Sequence, residues 1–240
     1  ISADGEYVVV GSDDNKVYLF DKDSSTPLWS YDTGGDLNSV AISADGEYIG
    51  VASEGDDDKI YLFDKDSSTP LWNYEASNTV NSVSISADGE YIAAGATNDK
   101  VYLFRKDSST PLWSYDTSGD VYSVDISADG EYIAAASVHA NKVYLFDKDS
   151  STPLWSYTTE GYVGSVAISA DGEYIAAVSR WGDNKTYLFD KDSSTPLWIY
   201  ETGSANVTWV AISADGEYIV VGSENAVVYF DNIIPPTATI

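Results

Sequence analysis

Apolar residues in this chain gather in short runs of four to seven, and four such runs recur in one order about every 42 residues. In one unit they read VNSVSIS, EYIAAGA, KVYLF and PLWSY, beginning at residues 80, 90, 100 and 111. Val, Ile, Tyr, Phe and Trp dominate them, which is strand composition. No stretch holds a helical period of useful length. The Asp-Gly of SADGEY, between the first run and the second, requires a positive φ that Gly tolerates and so marks a tight hairpin. KVYLF is apolar at consecutive positions, as expected of a strand covered on both faces.

ISADGEY begins at residues 1, 42, 85, 126, 168 and 212. A period of this length, filled by four short antiparallel strands, predicts the blade of a β-propeller. The expected fold is therefore all-β, with six visible four-stranded antiparallel blades over residues 1–231 and strands A to D running from axis to rim. The first blade lacks strand A and the last lacks strand D. Either the ring closes imperfectly or sequence upstream supplies the rest, and the incomplete terminal blades offer a route to self-association. Residues 232–240 contain adjacent prolines, which read as a linker or a short closing strand.

SADGEYIAAAS (127–137) with NKVYLFD (141–147) resembles the WD-repeat pattern: a turn, a small-residue strand, then a strand ending in aromatic-Asp. LFDKDSSTPLWSY (145–157) resembles the tryptophan-docking repeat of quinoprotein propellers. That resemblance implies that Trp29, Trp72, Trp113, Trp155 and Trp198 each pack against the next blade. IIPPTATI resembles the start of the immunoglobulin-like domains that follow propellers in archaeal surface proteins. The chain departs from the WD pattern in three ways. Phe20, Phe63, Phe104, Phe146, Phe189 and Phe230 stand where that family has tryptophan, Arg105 replaces the following Asp, and no Gly-His pair precedes strand A.

The copies do not diverge evenly. The A–B turn is SADGEY and the C–D turn is KDSSTP wherever they occur. The B–C turn reads SDDNK, SEGDDDK, ATNDK, SVHANK, SRWGDNK and SENA, and the D–A segments differ as much. In an up-and-down blade these two sets lie at opposite ends of the wheel. Drift after duplication explains variable turns. A contact face explains them too, and the unusual residues Tyr122, His139, Tyr162, Arg180, Trp181 and Trp209 all map to the varied end. Exposed aromatics beside an Arg are typical contact anchors.

Charge narrows the partners. The chain has 39 acidic and 12 basic residues, a net charge of −27, which repels nucleic acid and anionic membranes. Ten lysines occupy two repeat slots, leaving only Arg105 and Arg180 outside them. Such acidity suits a saline or calcium-rich setting, hence an extracellular or cell-surface location. No apolar run approaches the ~20 residues of a membrane helix, so no membrane insertion is expected. Cysteine and methionine are absent, even at position 1, so the chain reads as a processed product or an excised piece.

Catalytic chemistry finds little support. His139 stands alone without a cysteine or a second histidine, and no nucleophilic triad is identifiable. Asp21, Asp23 and Ser25 begin with calcium-loop spacing, but the loop glycine is missing and Pro27 intrudes, so a hydrogen-bonded turn is favoured over calcium. EGDDDK (54–59) reads as a solvated loop. Quinoprotein enzymes hold their cofactor with cationic groups, calcium ligands and usually adjacent cysteines, a set this chain does not offer. A glycosidase needs paired carboxylates, and Asp125, the one acid in its strand A slot, has no obvious mate. Asn184 and Asn206 head glycosylation sequons on the varied end.

The sequence therefore predicts a non-catalytic binding or scaffold module of a secreted or cell-surface protein, without metal or cofactor, that meets a protein or glycan through its varied end. A structural component of a surface layer or adhesive array is the alternative. A carbohydrate-active or quinone-linked enzyme is the less favoured one.

Overall fold

The structure, a computed structural model, describes residues 1–55, 57–202, 207–223 and 227–231. All regular elements among them are β-strands, in six antiparallel sheets. Four sheets carry four strands in the order A–B–C–D, and two carry three. The three-stranded sheets are blade 1 (Tyr7–Ser12, Lys16–Asp21, Trp29–Asp32) and blade 6 (Val207–Ile212, Tyr218–Ser223, Val227–Asp231). Among the described residues no helix is long and apolar enough to cross a membrane. The architecture is the β-propeller that the period predicts; residues 232–240 lie outside the described residues.

Six units surround one axis. Ile42, Ile85, Ile126, Ile168 and Ile212 end the A strands of blades 2 to 6, and with Ile1 they line a single axial cavity. Around it the Ala3 N–H donates to the Ala44 carbonyl at 2.9 Å, and the same bond recurs from Ala44 to Ala87, Ala87 to Ala128, Ala128 to Ala170 and Ala170 to Ala214.

Strand C explains its unbroken apolar run. In blade 2 (C strand Lys59–Asp64), Ile60 and Leu62 pack against blade 3 while Tyr61 and Phe63 pack against blade 1. All four are buried, and the same holds in blades 3 to 5, so blades 2 to 5 are core on both faces. Burial of each such side chain stabilises the fold by about 1.5–3 kcal/mol. Each tryptophan of the PLW motif packs against the strand C phenylalanine of the next blade. Ring centroids of Trp29–Phe63, Trp72–Phe104, Trp113–Phe146, Trp155–Phe189 and Trp198–Phe230 lie 5.2 to 5.4 Å apart. In the first four the indole N–H also donates to a lysine carbonyl of the next blade, at 2.6 to 2.9 Å.

Phe20 of blade 1 has no indole over it and is half-buried, whereas Phe63, Phe104, Phe146 and Phe189 are fully buried. On the facing side of the wheel, Val227, Tyr229 and Tyr218 of blade 6 are exposed. Among the described residues no tryptophan–phenylalanine joint links blade 6 to blade 1. The wheel thus has a seam with an apolar wall on either side.

The unvaried end is constant because it is bonded three ways. In blades 1 to 5 the lysine of KDSSTP donates its backbone N–H to the glutamate carbonyl of SADGEY, as Lys106 does to Glu90 at 3.0 Å. The lysine side chain pairs with the same glutamate, as in Lys65–Glu47 at 2.9 Å and Lys191–Glu173 at 3.1 Å. In blades 2 to 5 its carbonyl then receives the indole of the preceding blade. Within SADGEY, the serine hydroxyl donates to the Asp and accepts the tyrosine N–H, as in Ser86, Asp88 and Tyr91. A turn so engaged resists a change of length, whereas the links between blades at the other end, such as Asn38 to Val80, differ from blade to blade. Divergence at one end alone is thereby explained mechanically, and a contact face must be argued from the side chains present there.

Candidate functional site

Each A strand of blades 2 to 6 slips register against its B strand at one residue. The extra residue is Asn38, Asn81, Tyr122, Gly164 or Thr208 in turn. A bulge re-aims the side chain it carries. Asn38 and Asn81 use this to donate to the carbonyls of Val80 and Val121 in the next blade, at 3.1 and 2.9 Å. Blades 4 and 5 depart from that link. Tyr122 takes the asparagine's place, and at Gly164 a Cβ would come within 3.0 Å of Arg180 Nε. The missing side chain makes room for the arginine.

Arg180 ends strand B of blade 5 (Tyr174–Arg180), and its guanidinium carbon lies 4.4 Å from the Trp181 ring centre and 5.9 Å from that of Tyr122. Trp181 meets Tyr162 edge-on at 5.9 Å, and Tyr162 meets His139 at 5.7 Å. His139 Nδ1 is 3.1 Å from Asp120 Oδ2. Asp120 and Tyr122 flank Val121, so these six side chains from blades 4 and 5 close an arc at the varied end. Trp181 is 57% exposed and Tyr122 38%, while Tyr162 and Arg180 are half-buried. Trp181 also has φ of 50°. A bulky side chain in the left-handed region is strained, and such positions concentrate at functional sites.

The structure therefore brings together Tyr122, His139, Tyr162, Arg180 and Trp181. Trp209 stands apart. It occupies the third position of its A strand, where Ser39, Ser82, Ser123 and Ser165 each accept an N–H from the next blade. That position faces the following blade, so the Trp209 indole lies on the seam wall of blade 6, against Gly222, where a Cβ would fall 2.1 Å from the ring. Trp209, exposed near the start of its strand, therefore lies outside the arc of the other five. Asp120 and Gly164 complete the arc without having been singled out in the sequence.

Other candidate residues prove structural. Asp57 of EGDDDK is buried and receives Ser53 Oγ at 2.8 Å, the Tyr61 hydroxyl at 2.7 Å and Lys59 Nζ at 2.7 Å, so at that residue the loop is not solvated. Asp125 has mates after all, though not catalytic ones. Its Oδ1 accepts Ser84 Oγ of blade 3 at 2.9 Å and its Oδ2 accepts Ile168 N–H of blade 5 at 3.0 Å. It thus clips three blades together, and desolvation pushes its pKa up. In DKDSS, Asp21 Oδ1 accepts Asp23 N–H at 2.9 Å and Ser24 Oγ accepts Thr26 N–H at 3.0 Å, the geometry of a hydrogen-bonded turn. Asn184 is half-buried with its Oδ1 out of solvent, and Asn206 lies outside the described residues.

The chain matches 1865 solved chains, a number too large for the fold to select one activity. One is a chain in a crystal structure of the mitotic checkpoint complex, with a TM-score of 0.83 at 16% identity, covering 96% of this chain and 72% of that one. No curated protein matches by sequence. The WD domain, G-beta repeat family matches residues 194–231. The family described as outer membrane protein assembly factor BamB matches residues 1–200, most of the chain. The chain belongs to that family of propellers, and its repeats are of the WD and tryptophan-docking kind.

Proposed function

We propose that this propeller is a non-catalytic binding module that meets a partner protein with its varied end, through Tyr122, Tyr162, Arg180 and Trp181. The observation that carries this reading is the convergence of five unusual residues from two blades into one exposed arc. Rigid aromatics around an arginine have the composition of a binding hot spot. A protein partner is favoured over a glycan because one of the solved chains with this fold comes from a protein complex. A place at the cell surface or outside it accords with the net charge of −27 and with the outer-membrane protein that gives the family its description. No cofactor enters the reading.

A loop transplant tests it. Residues 179–185 (SRWGDNK) are replaced by residues 96–100 (ATNDK), which close the same two strands in blade 3. Both forms are then probed on protein and glycan arrays. Protein spots bound by the parent and lost in the transplant, with unchanged melting, support the proposal. Binding indifferent to the transplant contradicts it, and binding to glycans alone replaces the partner class.

The seam favours a second reading, self-association of copies. Val10, Val227 and Tyr229 are 41%, 69% and 60% exposed on its two walls, and both walls are built from the same repeat. Sedimentation at rising concentration is expected to show assembly that Tyr229→Lys weakens. A monomer throughout contradicts this.

A further inference from the structure

The two arginines of this chain are held differently. Arg105 pairs with Glu90 at 3.1 Å and with Asp107 at 3.8 Å. Arg180 has no carboxylate at salt-bridge distance among the described residues, and its Nε–H is buried without a hydrogen-bond partner. The carboxylates of the flanking loops are engaged elsewhere. Asp183 accepts the hydroxyls of Ser179 and Tyr187, Glu160 pairs with Lys185 at 3.2 Å, and Asp120 pairs with His139. Among the described residues Arg180 is thus the one of the two arginines that no carboxylate pairs, in a chain with 39 acidic residues.

Its surroundings orient rather than neutralise it. The guanidinium lies over Trp181 and beside Tyr122, with Gly164 leaving it space. Stacked rings hold the plane of a guanidinium while leaving its edge donors free, and that edge matches a carboxylate in two parallel hydrogen bonds. The charge of the whole chain limits what can bring the carboxylate. A polyanion is repelled along its length, whereas one carboxylate among uncharged residues meets little repulsion beyond the screening length of about 8 Å.

We infer that Arg180 is the anion anchor of the contact surface, seating a single Asp or Glu carboxylate of a partner polypeptide while an apolar neighbour of that residue covers Trp181. This rests on the binding reading above and specifies its chemistry.

A displayed library of random peptides, panned against the intact chain, tests it. Enriched peptides are expected to carry one acidic residue beside an apolar one. Their affinity should fall about tenfold or more, the range of a charge-assisted hydrogen bond, when that acid becomes its amide, and again in Arg180→Gln. Arg180→Lys should recover part of the loss. The peptide-side change needs no protein variant, so misfolding cannot mimic it. Peptides that bind through Trp181, lose affinity in Trp181→Ala, and ignore both the amide change and Arg180→Gln would overturn the anchor while leaving the contact surface standing. Peptides insensitive to both positions, or none enriched, would overturn both.

Discussion

The indole N–H of Trp72 donates to the carbonyl of Lys106 in the next blade at 2.9 Å, while its ring lies 5.3 Å from Phe104. One side chain thus joins two blades by both a polar and an apolar contact. Trp113→Ala, at the equivalent joint in mid-wheel, should cost about 3 kcal/mol, the low end of the loss for a large core aromatic, because its ring is half-buried. Chemical denaturation measures it.

Phe20→Ala should cost clearly less than Phe104→Ala, although both residues occupy the same slot. Phe104 is fully buried under an indole and Phe20 is not. Equal losses in thermal melts would mean that another group covers Phe20 in solution.

Asp125 gives a pH-dependent prediction. Desolvation raises its pKa above the usual carboxylate value, so the folded chain holds this proton more tightly than the unfolded chain. Its charging penalty is therefore present above the raised pKa and is relieved as pH falls through it. Asp125→Asn removes that dependence. Asparagine has one acceptor oxygen where the carboxylate has two, so the N–H of either Ile168 or Ile126 loses its acceptor, at a cost of about 1–3 kcal/mol. The difference between parent and variant stability across pH isolates the term, because the other carboxylates cancel.

Tyrosines mark the alkaline limit. Burial pushes Tyr144 up to about 12, and burial with Asp57 or Asp183 alongside pushes Tyr61 and Tyr187 higher still. The unfolded chain ionises these phenols near 10. Stability should then decline as pH rises past 10, and absorbance titration should show a late group of phenols that ionises together with unfolding.

Trp181→Asn should raise stability by about 1 kcal/mol, because asparagine tolerates the left-handed backbone better. The same change should abolish partner binding. Gain of stability with loss of binding is the signature of strain retained for contact.

Much of this was legible in the sequence. The period, the Asp-Gly turns and the unbroken KVYLF run specify blades covered on both faces, and the recurring Trp29-type slot specifies their joints. Five members of the arc stood out as departures from the repeat. What could not be read was which departures meet. The bulge that aims Tyr122 depends on register, and the role of Gly164 depends on where Arg180 lies. Trp209 looked like a loop residue because its segment varies, yet its strand position turns it toward the seam. Asp57 looked solvated because it sits in an acidic run, but Tyr61 four residues on draws it inward.

The central claim is that partners meet the varied end at blades 4 and 5. A photoreactive phenylalanine analogue placed at position 181, and separately at position 67 on the opposite end, tests it with any protein found on the arrays. The account predicts crosslinks from position 181 and none from position 67. Equal crosslinking from both, or crosslinking from position 67 alone, would contradict it.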